Sequence, residues 1–342
     1  MGDNDSAMVG KLPQIVLYHY PFSPYARRVI WYLKLRGLDY MECVQPPTLP
    51  RPHLSSLLGI TYRRIPLAFI GDSIVLDTRL ILSRLEADPF LSPSHPPLSA
   101  PAGSSSLAIQ RLLSVLTTST DLFFRAAELL PPTLPLLKDP KFLKDRADFF
   151  QGKSMTKEER LLSRAEAVGE IRDAMSLLEN SILEDGRTWV LGTEKPSLAD
   201  IEGVWIFHWV LELQSLDADV VNQETFPRVF AWVRRFREAV KGAKGGEVKA
   251  ISGEEAAGIV LGAKKGEEER VGEKEPVVKV LGLKRGSEVE VYPTDSGSGH
   301  RDTGKLVGLD SKEVVWENER GVRVRAPRKG FRVVLGGAQA SL

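Results

Sequence analysis

The sequence predicts three consecutive parts: an alternating α/β unit, an all-helical unit and a small all-β barrel or sheet module. Three observations carry this reading. Over residues 11–87 short β-branched and aromatic runs alternate with helical apolar spacing. Over 107–240 only the helical spacing persists. Beyond 241 the chain turns Gly-, Glu- and Lys-rich, and then short β-branched runs alternate with turn residues. A length of 342 residues suits two or three domains.

Ile15-Val16-Leu17-Tyr18-His19-Tyr20 reads as the first strand, broken by Pro21-Phe22-Ser23-Pro24. Tyr25 to Arg36 reads as a helix, because Val29, Ile30, Leu33 and the stem of Arg36 recur at helical spacing, and Gly37 stands where a left-handed C-terminal residue belongs. Asp39 to Val44 is a second strand. After a Pro-rich loop, His53 to Leu58 gives one or two helical turns. Ile65–Ile70 and Ser73–Leu76 flank Gly71-Asp72 as a hairpin, and Asp77 or Thr78 caps a helix running through Glu86.

Residues 88–106 are Pro- and Ser-rich and read as a linker. The helical unit, 107–240, contains candidates at Leu107–Leu130, Glu158–Leu183, Leu198–Leu213 and Pro227–Val240. Pro131–Thr156 reads as a loop with short helices. Residues 241–274 lack a hydrophobic period and read as a second linker, which makes the module at 275–338 separable. Its expected strands are Val277–Val280, Glu288–Tyr292, Lys305–Val307, Glu313–Trp316 and Val322–Arg325.

Composition excludes several functions. Lys+Arg is 46 against Asp+Glu 45, a net charge of +1 without the basic excess of a nucleic-acid binder. One cysteine, Cys43, permits no intrachain disulfide, Cys-x-x-Cys pair or zinc cage, and the five histidines are scattered, so no metal site is expected. Met1 to Ser6 is acidic and polar, unlike an export signal, although Gly2 with Ser6 fits the myristoylation pattern. The most apolar stretch, 203–213, is about half the ~20 residues of a membrane span. A cytoplasmic protein without stable membrane association is the expectation.

Four local matches resemble the glutathione transferase superfamily and together span about residues 14–240. Ser23-Pro24-Tyr25-Ala26-Arg27-Arg28-Val29 resembles the Ser-Pro-Phe-x-x-Arg-Val helix start of tau- and theta-type members, or the omega start with serine in place of cysteine. Arg64-Ile65-Pro66 resembles the basic–apolar–cis-proline step before the third strand. Asp77-Thr78 resembles the acid–hydroxyl pair at the last helix of the N-terminal domain. Ser197-Leu198-Ala199-Asp200 resembles the capping box of the helical domain. The resemblance implies a thioredoxin-like N-terminal domain joined to an all-α glutathione-transferase-like domain, with the β module outside it.

It also implies a chemistry. Glutathione, as cosubstrate, reacts as its thiolate, and a thiol of pKa near 8.5 is mostly protonated at neutral pH. Ser23 would donate a hydrogen bond to the sulfur anion at a helix N-terminus, where the dipole adds positive potential. Tyr25, Arg64, Ile65, Pro66, Asp77 and Thr78 would bind glutathione: Ile65 by backbone pairing beside a cis Pro66, Arg64 by pairing a carboxylate, Asp77 by pairing the α-ammonium and Thr78 by binding the α-carboxylate. Tyr20 and Tyr18 flank the site as alternative activators of the thiol. Each residue also has a purely structural reading: Ser23, Asp77 and Thr78 as helix caps, Arg64 as a solvated charge, Pro66 as a trans proline at a strand start.

The Pro-rich loop 45–53 carries no lysine where many relatives supply one, which leaves Arg51 as a substitute. The expected partners are a small apolar electrophile and a second copy in a homodimer. The alternatives are a non-catalytic protein holding glutathione or another ligand, and a dimerisation or interaction scaffold whose β module recruits a partner.

Overall fold

The computed structural model describes residues 13–150, 157–266 and 269–337. The Gly2–Ser6 pattern lies outside the described residues. The N-terminal unit runs β1 (Ile15–His19), α1 (Pro24–Arg36), β2 (Tyr40–Val44), α2 (Pro52–Leu58), β3 (Leu67–Ile70), β4 (Ser73–Leu76) and α3 (Thr78–Ala87). β1 pairs in parallel with β2 and antiparallel with β3, and β3–β4 is the expected hairpin. α1 begins behind Ser23 with Pro24 in its first turn and ends at Gly37, whose φ of 70° closes it.

The helical unit comprises α4 (Ser105–Thr118), α5 (Leu122–Glu128), a 3-10 turn (Pro135–Lys138), α6 (Pro140–Phe150), α7 (Lys157–Leu177) with a π turn after it, α8 (Leu198–Glu212) and α9 (Pro227–Gly242). The single helix expected over Leu107–Leu130 is two, interrupted at Ser119-Thr120-Asp121. Hydroxyl side chains there bond back to the preceding turn, as Thr118 Oγ1 does to Ser114 O at 2.6 Å. The Ser197/Asp200 box forms: Asp200 Oδ2 accepts from Ser197 N at 2.8 Å, while Oδ1 accepts from Val190 N and Trp232 Nε1. The Pro/Ser-rich stretch over 88–106 is pinned, since Glu86 accepts from Leu98 N and Ser99 N.

Arg28 joins the first two units. It is fully buried on α1, pairs with Glu202 of α8, donates to Thr78 Oγ1 at 2.5 Å and lies over the Trp205 ring. Losing one partner of such a pair costs about 3–5 kcal/mol, because the other is left charged and buried.

The C-terminal part departs from expectation. Residues 241–274 are not a linker: they contain β5 (Val248–Ala250) and α10 (Gly253–Leu261). β5 extends the sheet beside β2, with Tyr40 opposite Val248. Gly246 permits that approach, since a Cβ there would stand 2.3 Å from the Leu38 carbonyl carbon. Val277–Val280 is not a strand either. It lies in α11 (Pro276–Leu281), which starts on a proline and ends at Gly282 with φ 61°. The strands are β6 (Glu288–Pro293), β7 (Asp302–Leu309), β8 (Glu313–Glu317), β9 (Arg323–Pro327) and β10 (Phe331–Leu335).

This antiparallel module shares its sheet and a core with the N-terminal unit. β9 pairs in parallel with β4, so all ten strands form one sheet in the order β10-β6-β7-β8-β9-β4-β3-β1-β2-β5. At the joint, buried Arg325 reaches Ser73 Oγ (3.0 Å), Glu313 (3.0 Å) and Glu269, and Arg323 reaches Asp72 at 2.7 Å. One hydrophobic core includes Leu54, Leu58, Ile60 and Ile74 together with Ala256, Val291, Trp316 and Phe331. The sheet curls so that Phe331 of β10 stacks on Tyr62, ring centres 5.8 Å apart.

Candidate functional site

A cavity of about 760 Å³ lies between the α/β unit, the helical unit and the C-terminal strands. Ser23, Tyr25, Arg64, Ile65, Pro66, Asp77, Thr78 and Tyr20 all line it, so the fold brings together every expected site residue except one. Tyr18 is the exception. It is fully buried opposite Cys43 and Leu67, in the core shared with the C-terminal module. Burial pushes its phenol up and away from any role as an activator.

Ser23 caps α1. Its Oγ accepts from Ala26 N at 3.2 Å, and its carbonyl accepts from Arg27 N at 3.1 Å. Pro24 brings no N–H. That leaves two donors without a protein acceptor among the described residues: the Ser23 hydroxyl proton and the Tyr25 amide. Both sit at the positive end of a 13-residue helix, on the cavity wall. The arrangement suits an anion.

The Ile65–Pro66 peptide is cis. The loop leading into it is clamped by the C-terminal module: Asp302 accepts from Thr61 N (2.7 Å) and Tyr62 N (3.1 Å), and Asn318 Nδ2 donates to Leu58 O (2.7 Å). Asp302 is 3% exposed, and burial pushes its carboxyl up to about 7 although both amides favour the anion.

At the start of α3, Asp77 adopts φ 69°, ψ 130°, a conformation that costs a non-glycine residue about 1–3 kcal/mol and that clusters at functional sites. Both of its oxygens are engaged by Arg79: Oδ1 by the amide and Nε at 2.9 Å, Oδ2 by Nη2 at 2.7 Å. Burial raises the Asp77 carboxyl, but the Arg79 hydrogen bonds and charge outweigh it and hold the group below its ordinary range. Arg64 is no solvated charge. Its Nε donates to Ser296 O at 3.0 Å and its Nη2 pairs with Asp295, both beyond β6. Arg51 reaches the cavity but is committed to the carbonyls of Pro46 (2.9 Å), Pro47 (3.2 Å) and Arg63, and burial lowers it to about 10.

The opposite wall is apolar. Phe123 of α5 packs on Tyr25 (ring centres 4.7 Å) and Trp209 (5.7 Å), and Leu137, Phe142 and Leu143 continue the surface. Trp209 is a wall residue, whereas Trp205 and Phe207 are buried. α6 closes one side. Its Asp145 accepts from Leu49 N (2.9 Å) and pairs with Arg63 (2.9 Å), and Arg146 donates to Pro47 O (2.7 Å).

Sequence reasoning missed Arg79, Asp295 and Lys329 at the polar end. Arg79 follows the Asp77-Thr78 pair directly. Asp295 and Lys329 lie in turns after β6 and before β10, with no local signal of a neighbour more than 200 positions earlier. Among the described residues no group of three or more His, Cys, Asp or Glu is placed to hold a metal ion. No helix among them is long and apolar enough to cross a membrane.

Two family models match the chain: the glutathione S-transferase N-terminal domain over residues 17–93, and a domain of unknown function over 125–245. No curated protein matches the chain in sequence. Among solved structures, a glutathione-transferase-like protein from Pseudomonas syringae is similar at 23% identity and a TM-score of 0.67, covering 94% of this chain and 99% of that one. A span of that extent reaches into the C-terminal strands. A beta-etherase from Sphingobium sp. is similar at 17% identity and a TM-score of 0.51, covering 67% of this chain and 97% of its own. Residues 17–93 thus match the glutathione S-transferase N-terminal domain, and the chain as a whole shares the fold of a glutathione-transferase-like protein.

Proposed function

We propose that the chain binds glutathione and activates its thiolate for attack on a small apolar electrophile, or for isomerisation or lysis of one. The observation that carries this is the pair of donors at the α1 N-terminus, the Ser23 hydroxyl and the Tyr25 amide, on the wall of a cavity whose far side is apolar. In this reading the thiol releases its proton to solvent and the sulfur is held as an anion by Ser23. In the conjugation case, sulfur forms a bond to the electrophilic carbon while the leaving group departs with its electron pair. Ser23 donates a hydrogen bond throughout and transfers no proton.

Ile65 presents its backbone to the cysteinyl part of glutathione, beside Pro66. Thr78 and the start of α3 receive the γ-glutamyl carboxylate, with Arg79 held close by Asp77. The apolar wall of Phe123, Trp209 and Phe142 accommodates the electrophile. Glutathione is the cosubstrate, and homodimerisation and a cytoplasmic location belong to the same reading. A second reading, a glutathione-holding protein without turnover, is favoured by the engagement of Arg64 and Asp77 with protein partners.

One titration separates the two. Glutathione added to the full chain should bind by calorimetry and show thiolate ultraviolet absorbance at neutral pH. Binding without the thiolate signal selects the second reading. Absence of binding removes both.

A further inference from the structure

The geometry points to Asp295 as the acceptor for the ligand's α-ammonium group, so that the C-terminal module completes the binding site. The inference rests on the glutathione reading above. Two carboxylates of the cavity wall are paired with arginines that also line it, Asp77 with Arg79 and Asp295 with Arg64. Asp77 has both oxygens engaged by Arg79. Asp295 uses only Oδ1, toward Arg64. Its Oδ2 accepts from no group among the described residues, and its side chain is 55% exposed.

Asp295 is also held in place. Thr294 N donates to Gly330 O at 3.0 Å on one side, and Ser296 O accepts from Arg64 Nε at 3.0 Å on the other. The carboxylate therefore stands at the cavity edge in a fixed turn, with one oxygen oriented by an arginine and the other unpaired. An ammonium group offers that oxygen up to three N–H donors. Asp295 paired with Arg64 sets an anion directly beside a cation on the cavity wall. That pattern is complementary to an α-amino acid terminus, whose carboxylate and ammonium lie on one carbon. Asp295 is thus a specificity residue for a free amino terminus, supplied by a part of the chain that begins more than 200 residues after the thiol-activating helix.

The test is calorimetric titration of the full-length protein with glutathione and with its analogue in which hydrogen replaces the α-amino group. The wild type should prefer glutathione by roughly 10- to 100-fold, the range for a hydrogen bond to a charged group. Asp295→Asn should bring the two affinities close to parity, and Asp295→Glu should retain the preference. An Asp295→Asn protein that keeps the wild-type preference overturns the inference, even if both affinities drop because the module has loosened. A wild type that binds glutathione without preferring it over the analogue overturns the inference alone. A wild type that does not bind glutathione overturns the glutathione reading and this inference with it.

Discussion

Replacing Ser23 separates its two structural roles. As a cap, its Oγ accepts from Ala26 N at 3.2 Å. Ser→Ala at such a position costs about 0.5–2 kcal/mol of stability, whereas Ser→Gly costs only a few tenths. As a donor, its hydroxyl would hold the glutathione sulfur anion, and a hydrogen bond to a charged group is worth about 1.5–3 kcal/mol. The Tyr25 amide and the helix dipole remain in either variant, the dipole contributing roughly 0.3–1 kcal/mol. The bound thiol pKa should therefore rise by about 1–2 units in both Ser23→Ala and Ser23→Gly. Turnover with a generic electrophile at neutral pH should fall roughly 10- to 150-fold in both. The two variants should differ in thermal stability and agree in chemistry. The assay is thiolate absorbance against pH in the glutathione complex, alongside initial rates. Unchanged thiol pKa and rate in both variants would refute the donor role and pass it to Tyr20, the remaining tyrosine of the expected set on that side of the cavity.

A chain ending at Gly246 should be insoluble or lose cooperative unfolding in calorimetry, because it uncovers Leu54, Leu58, Ile60 and Ile74. Each fully uncovered side chain costs about 1.5–3 kcal/mol against a typical margin of 5–15 kcal/mol. A soluble, cooperatively folding truncation would show that the N-terminal units stand without the module. Asp302 should impose a pH dependence on stability. Its folded pKa, about 7, lies above the ordinary 3.8, so the folded state holds a proton that the unfolded chain releases. The contribution is fully present below the ordinary value and is lost as pH rises through about 7. Denaturant midpoints across that window should fall more steeply for the wild type than for Asp302→Ala, and parallel profiles would exclude Asp302 as the source.

The N-terminal unit was legible because its signals are local. Ser23-Pro24 and Gly37 bracket α1, Gly71-Asp72 sits at the β3–β4 turn and Asp77 precedes α3, each acting within a few residues of its own backbone. The same locality exposed the Ser197/Asp200 box. What was not legible depends on distant partners. Val248–Ala250 is too short and polar to announce a strand, and it becomes one because β2 has an open edge beside it. Val277-Val278-Lys279-Val280 has strand composition, but Pro276 and Gly282 set its ends as a helix. In the site, the α1 and α3 positions followed from capping chemistry. Tyr18 was misplaced because a residue-by-residue match carries no information about which face of β1 the new module covers. Asp295 lies in a Thr-Asp-Ser-Gly turn like many others, and only the curl of the sheet brings it to Arg64.

The joining of β4 to β9 also sets an order of events during synthesis. Ser73 and Arg325, which meet at that joint, are 252 residues apart in the chain. At ~5–20 residues per second, the ribosome needs on the order of tens of seconds to deliver the second after the first. Throughout that interval the nascent α/β unit carries two unsatisfied strand edges, β4 and β2, and an apolar face with no cover. Such edges template pairing with other chains. The N-terminal half keeps these edges open until its last strands emerge, and closure is a long-range step of the kind that slows folding. The finished molecule moves its free edges out to β5, three residues long with Lys249 at its centre, and to β10. A short, charged edge at one end of the ten-stranded sheet offers a neighbouring copy little to extend.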